Sequence, residues 1–202
     1  MIRRALSLAA LAACALALSG CISLLPKSKP AQLYRFGPPP AANAAPARPG
    51  AVAVFRTNGQ FQEEASDDRI LTMTGGRAAY IAQSRWVAPA DTLFNEAVAN
   101  AFDASPIRLI ARGQQGRFAY ALRLDVRSFE ARYDSGSDAP PTVVVHLHAA
   151  LTKSDQSSVG EQDFEARVPA SENRVGAIVT AFDKASAEAI GKMVAWTEAT
   201  AT

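Results

Sequence analysis

The stretch FAYALRLDVRSFEARY, Phe118 to Tyr133, decides the fold. Leu122, Leu124, Val126 and Ser128 fall on one side of it, and Arg123, Asp125, Arg127 and Phe129 on the other. A period of two with charges on one side is the signature of a strand with one wetter face. A loop of Ser, Gly, Asp and Pro from Asp134 to Pro141 follows, then an apolar strand from Thr142 to Thr152. A turn at Ser154 to Ser158 and a returning strand from Val159 to Val168 complete an antiparallel meander. Beyond it the period changes to three and four. Val175, Ile178, Phe182, Ala185, Ala189, Met193 and Trp196 form one stripe of a long amphipathic helix starting near Asn173.

Upstream, Ala51 to Arg56 (AVAVFR) reads as a short buried strand. Ile70 to Thr74 and Arg77 to Trp86 flank Gly75-Gly76, a dipeptide that accepts the positive φ of a tight hairpin. Pro89 ends that hairpin. Asp91 or Thr92 then caps a helix to about Ala104, with Leu93, Phe94, Ala97, Val98, Ala101 and Phe102 on its apolar face. Pro106 precedes a strand at Ile107 to Ala111 and a turn at Gly113 to Gly116. The expected architecture is α/β: a single domain with a mixed, mostly antiparallel sheet and two amphipathic helices packed on it.

The N-terminus belongs to a different regime. Arg3 and Arg4 precede an Ala/Leu-rich run from Ala5 to Leu18, which closes in Leu18-Ser19-Gly20-Cys21. A basic start, a short apolar run and small residues leading into a cysteine make a secretory signal that ends as a bacterial lipobox. The run falls short of the roughly 20 apolar residues that cross a bilayer. The sequence therefore predicts cleavage between Gly20 and Cys21, with acylation at the Cys21 thiol and at the new amino terminus. One acyl chain binds a membrane reversibly, whereas two or more hold a protein there. Ile22 follows, where an Asp would retain a lipoprotein at the inner membrane of enteric bacteria, so the outer membrane is favoured over the inner. From Cys21 to Gly50 the density of Pro and Ala gives an extended tether, in which Gln32-Leu33-Tyr34-Arg35-Phe36 alternates as a short edge strand docking on the domain. The expected boundaries are a signal peptide at 1–20, a lipidated tether at 21–50 and a domain at 51–199.

Composition removes several classes of function. Lys and Arg number 21 against 19 Asp and Glu, and Arg3 and Arg4 leave with the signal, so the balance beyond it is 19 against 19. A neutral body offers no electrostatic attraction to nucleic acid. The two cysteines are Cys14 and Cys21, which leaves the folded part without a thiol for disulfide, metal or nucleophile. No phosphate loop, G-x-S-x-G elbow or H-E-x-x-H helix occurs. Glu63-Glu64 and Asp67-Asp68 sit in a polar stretch that reads as a solvated loop.

Three side-chain groups remain as candidates. His146 and His148 share one strand face, a spacing a metal can use, but no third ligand is identifiable and a half-exposed polar face is the plainer account. Arg85 and Trp86 are a candidate partner contact, since both residue types concentrate binding energy at interfaces. The competing reading makes Trp86 a plug at the junction of hairpin and helix. Trp196 belongs to the helix stripe and to the core.

These elements, in order, resemble the ABC-type transport auxiliary (PqiC-like) lipoproteins. A lipobox cysteine is followed by a Tyr-containing strand at Gln32 to Phe36. An aromatic strand then ends in Arg85-Trp86 before the Pro89 helix entry, and Leu124 to Glu130 (LDVRSFE) lies in a later strand. The final helix carries Ala181-Phe182 and Ala185 and ends near Trp196. The Ala/Pro-rich insert from Pro38 to Pro49 is longer than the pattern has there. The resemblance implies a non-catalytic, cofactor-free auxiliary component of an ABC/Mce-type lipid transport system in the cell envelope. Its implied partners are an Mce-domain protein, an ABC permease and ATPase, and further copies of itself in a ring. An alternative is a lipoprotein that itself holds an acyl chain, with Phe94, Val98 and Phe102 lining the pocket.

Overall fold

Alternation becomes strand in the computed structural model of the chain, which describes residues 30–39 and 50–201. Strands β6 (Tyr120–Arg132), β7 (Thr142–Lys153) and β8 (Ser158–Pro169) form the expected meander, with Val126 opposite Leu147 and Leu147 opposite Phe164. One detail of the pattern is corrected. The register shifts between Val126 and Ser128, and this bulge exchanges the two faces for the rest of β6. Phe129 therefore joins Leu122, Leu124 and Val126 in the core, while Ser128 and Glu130 take the other face.

The opposite edge of β6 is shared by two short strands, β2 (Ala53–Arg56) and β3 (Arg69–Thr74), both parallel to it. Val54 to Arg56 pair with Tyr120 to Leu122, and Thr72 and Met73 pair with Ala131 and Arg132. The chain between them stays on the edge: Thr57 N donates to Leu122 O (2.9 Å), Val126 N to Gln60 O (2.8 Å) and Gln62 N to Val126 O (2.8 Å). Gly59 makes this approach possible. A Cβ there would lie 1.8 Å from Leu124 O.

Hairpin partner β4 (Arg77–Trp86) returns from β3 through Gly75, whose φ is +56°. A bulge in β4, marked by Gln83 at φ +54°, shifts the register of its last residues. They then accept β1 (Gln32–Tyr34) in parallel, with Tyr34 opposite Trp86. On the far side, β5 (Arg108–Ile110) lies parallel to β2. The result is one mixed sheet of eight strands whose two long ladders are antiparallel.

Helix α1 (Ala90–Asp103) starts two or three residues earlier than a cap at Asp91 or Thr92 allows, because Pro89 is the N-cap and no side chain caps it. Asp91 sits inside the first turn instead, where its charge favours the helix dipole. Helix α2 (Val175–Thr200) buries Ile178, Phe182, Ala185, Ala189 and Met193, and Trp196 lies over Phe164 with ring centroids 5.8 Å apart. Both helices pack on the apolar face of the sheet. Phe129 is the hub there, 4.9 Å from Phe36 and 4.8 Å from Phe182, and each such buried ring contributes about 1.5–3 kcal/mol.

Candidate functional site

The last residues of β4 project alternately, which separates the Arg85 and Trp86 pair. Trp86 is 2% exposed and meets Phe36 (5.0 Å) and Phe182 (5.3 Å) edge to face, so its indole plugs the junction of sheet and helix. Arg85 points outward, and its Nη1 bonds Asp68 Oδ1 at 2.7 Å. The parallel register sets Leu33 beside Arg85, and Val87 N donates to Tyr34 O at 2.8 Å. Leu33 and Val87 are 63% and 49% exposed, the large hydrophobic side chains that stand out in water among the described residues. An apolar pair flanking a cation at a sheet edge is a surface that can dock a partner. Sequence reading found Arg85 but missed Leu33 and Val87, because only the strand pairing brings them together.

The segment from Gln32 to Pro38 is fastened at this edge. Phe36 enters the core, Arg35 pairs with Glu96 on α1, and Gly37 N donates to Asp183 Oδ1 on α2 at 2.8 Å. Asn100 Nδ2 donates to Pro38 O at 3.3 Å. Residues 32–38 are thus fastened across both helices. The lipobox residues Leu18, Ser19, Gly20 and Cys21 lie outside the described residues, and among those described no helix is long and apolar enough to cross a membrane.

On the open face of the sheet, His146 and His148 converge on one carboxylate. His146 Nε2 is 3.0 Å from Asp163 Oδ1, His148 Nδ1 is 3.3 Å from it, and Arg127 Nη1 bonds it at 2.9 Å. Burial raises the Asp163 carboxyl, but Arg127 and the two imidazoles outweigh that and hold it below the ordinary carboxylate range. The Arg127 guanidinium shares the same Asp163 oxygen with His146. Among the described residues no group of three or more His, Asp or Glu forms a metal site.

The residues expected to line an acyl pocket pack within the core, and Phe94 also lines a small cavity beside Arg56. Phe94, Val98 and Phe102 are all buried in the continuous core between α1 and the sheet.

A family model for the ABC-type transport auxiliary lipoprotein component matches residues 34–194, which runs from β1 through most of α2. A crystal structure of a Xanthomonas campestris protein superposes with a TM-score of 0.70 at 26% identity, over 84% of this chain and 96% of that one. Two further solved structures share the fold. An uncharacterized protein does so with a TM-score of 0.63 at 12% identity over 83% of this chain and 99% of its own. A hypothetical protein of Chlamydia trachomatis gives 0.52 at 8% identity over 75% and 98%. No curated protein matches the sequence. With a match that spans β2 to β8, all of α1 and most of α2, the chain belongs to the ABC-type transport auxiliary lipoprotein family.

Proposed function

We propose that the chain is a lipid-anchored, non-catalytic auxiliary component of an ABC/Mce-type intermembrane lipid transport system. It faces the periplasm, on the outer membrane in preference to the inner. Residues 1–20 are the signal peptide, 21–50 the tether that carries lipid on Cys21, and 51–199 the body. The observation that carries this reading is a family match over 34–194 that begins shortly after a lipobox ending in Cys21. A body without thiols supports it, since the anchor is then the one modified sulfur of the mature chain. Energy for transport comes from ATP hydrolysis in another chain.

Tether length sets what the body can reach. At about 3.3–3.6 Å per residue, the stretch from Cys21 to Pro30 extends at most about 36 Å. The edge carrying Leu33, Arg85 and Val87 is therefore held close to the membrane, and we assign it the contact with the Mce-domain partner. Trp86 supports that edge from beneath.

Co-purification of the full-length protein in mild detergent tests the proposal. Recovery of an Mce-domain protein, with the ABC permease and ATPase, is expected, and Leu33→Glu should reduce it. A ring of copies would elute at a multiple of the protomer mass. Recovery of no Mce-domain protein, together with an unchanged envelope after deletion of the gene, contradicts the proposal.

A further inference from the structure

We propose that the crevice between Arg56 and Arg112 is a binding site for a phosphate group. Arg56 is the last residue of β2, and Arg112 lies just beyond the end of β5. These strands are parallel neighbours, with Phe55 opposite Ile110, so both guanidinium groups leave the sheet at adjacent carboxyl ends. That is where ligands enter open sheets with parallel strands. A cavity of about 90 Å³ opens between them, lined also by Thr57, Gln60, Asn95 and Asp91, with Phe61 and Phe94 on its apolar side.

The two cations bond to neutral amides and not to the carboxylates nearby. Arg56 Nη2 donates to Asn95 Oδ1 at 3.3 Å and Arg112 Nη1 donates to Asn58 Oδ1, both neutral acceptors. Among the described residues neither arginine forms an ion pair with a carboxylate. Burial lowers the Arg56 pKa to about 10, and the neighbouring Arg112 adds to the effect, against the pull of Asp125. A half-buried cation facing a second cation is costly unless an anion joins them.

The nearby carboxylates are engaged elsewhere. Asp125 Oδ1 accepts from Gln60 N at 2.7 Å, and its Oδ2 pairs with Arg123 at 3.1 Å. Asp91 Oδ1 accepts from Thr92 Oγ1 at 3.1 Å. Two guanidinium forks match the oxygens of a phosphate, and Asn95, which accepts through Oδ1, keeps its Nδ2 hydrogens to donate. The shared chemistry is a phosphate monoester or diester, whether it comes from a lipid headgroup or a soluble phosphate. The inference does not depend on an Mce-domain partner.

Calorimetric titration of the full-length protein in dodecyl maltoside and phosphate-free buffer tests it, with inorganic phosphate and dihexanoyl phosphatidic acid as probes. Saturable binding is expected, weakened about tenfold or more by Arg112→Gln. Arg112 is exposed, so this variant keeps the fold where Arg56→Gln could disturb it. Asp91→Asn should tighten binding. Tighter binding of the phosphatidic acid assigns a lipid headgroup, and equal or tighter binding of inorganic phosphate assigns a soluble one. Absence of binding by both probes at millimolar concentration, or unchanged affinity in Arg112→Gln, overturns the inference.

Discussion

At the carboxyl end of β6 Glu130 is 4% exposed and both its carboxylate oxygens accept a bond, whereas at the amino end Arg56 is half-buried and meets one neutral amide. Gln62 Nε2 donates to Glu130 Oε2 at 2.8 Å, and Arg132 Nε donates to Oε1 at 2.6 Å. The same Gln62 accepts Phe129 N at 2.7 Å through Oε1, which closes the bulge. Both charges sit along the side of β6 that meets β2 and β3, on either side of the segment pinned at Gly59. The difference teaches how to read them. A buried charge whose two oxygens each accept a bond, one of them from a cation, belongs to the scaffold, and one left beside a like charge marks a place where something else binds.

The largest expected effect comes from breaking the segment that separates the two ends. Gly59→Ala drives a Cβ into the Leu124 carbonyl and prises residues 57–62 from β6. Losing several backbone hydrogen bonds should cost about 2–4 kcal/mol, visible as a lower denaturant midpoint. Next is Gln62→Ala, which strands Phe129 N and one Glu130 oxygen and should cost about 1–3 kcal/mol. Arg56→Met sharpens the contrast, because removing an uncompensated charge while keeping its bulk should leave stability within about 1 kcal/mol of the parent or raise it. If Arg56→Met costs more than Gln62→Ala, the two ends do not differ as described.

The smallest effect lies on the open face of the sheet. Asp163 has its folded pKa depressed, so its contribution is present above the unfolded value of about 3.9 and is lost as pH falls through the folded value. Exposure to solvent keeps it small. In an NMR titration Asp163 should ionise below the usual carboxylate range, and Arg127→Gln should move it back up.

The meander and both helices were legible because each carries its own period over a dozen residues or more. The Gly75-Gly76 hairpin was legible from its turn. The face exchange in β6 was not, since a one-residue bulge is fixed by the Gln62 side chain arriving from another segment. The same reason hid both polar sites. Glu130 reads as one more charge in an alternating strand, and Arg56 and Arg112 stand far apart in sequence until β2 and β5 pair. Arg85 and Trp86 could be singled out together, but which of them faces solvent depended on the strand parity set by the β4 bulge.

Anchoring at Cys21 is the claim on which the role in the envelope rests, and intact-mass spectrometry of the full-length gene product extracted from membranes tests it most directly. The account predicts a polypeptide that begins at Cys21 and carries diacylglycerol and an N-acyl chain, with Cys21→Ala leaving an unlipidated chain that is not processed. An unmodified polypeptide that begins at Met1, or a mature chain whose Cys21 bears no lipid, would contradict it.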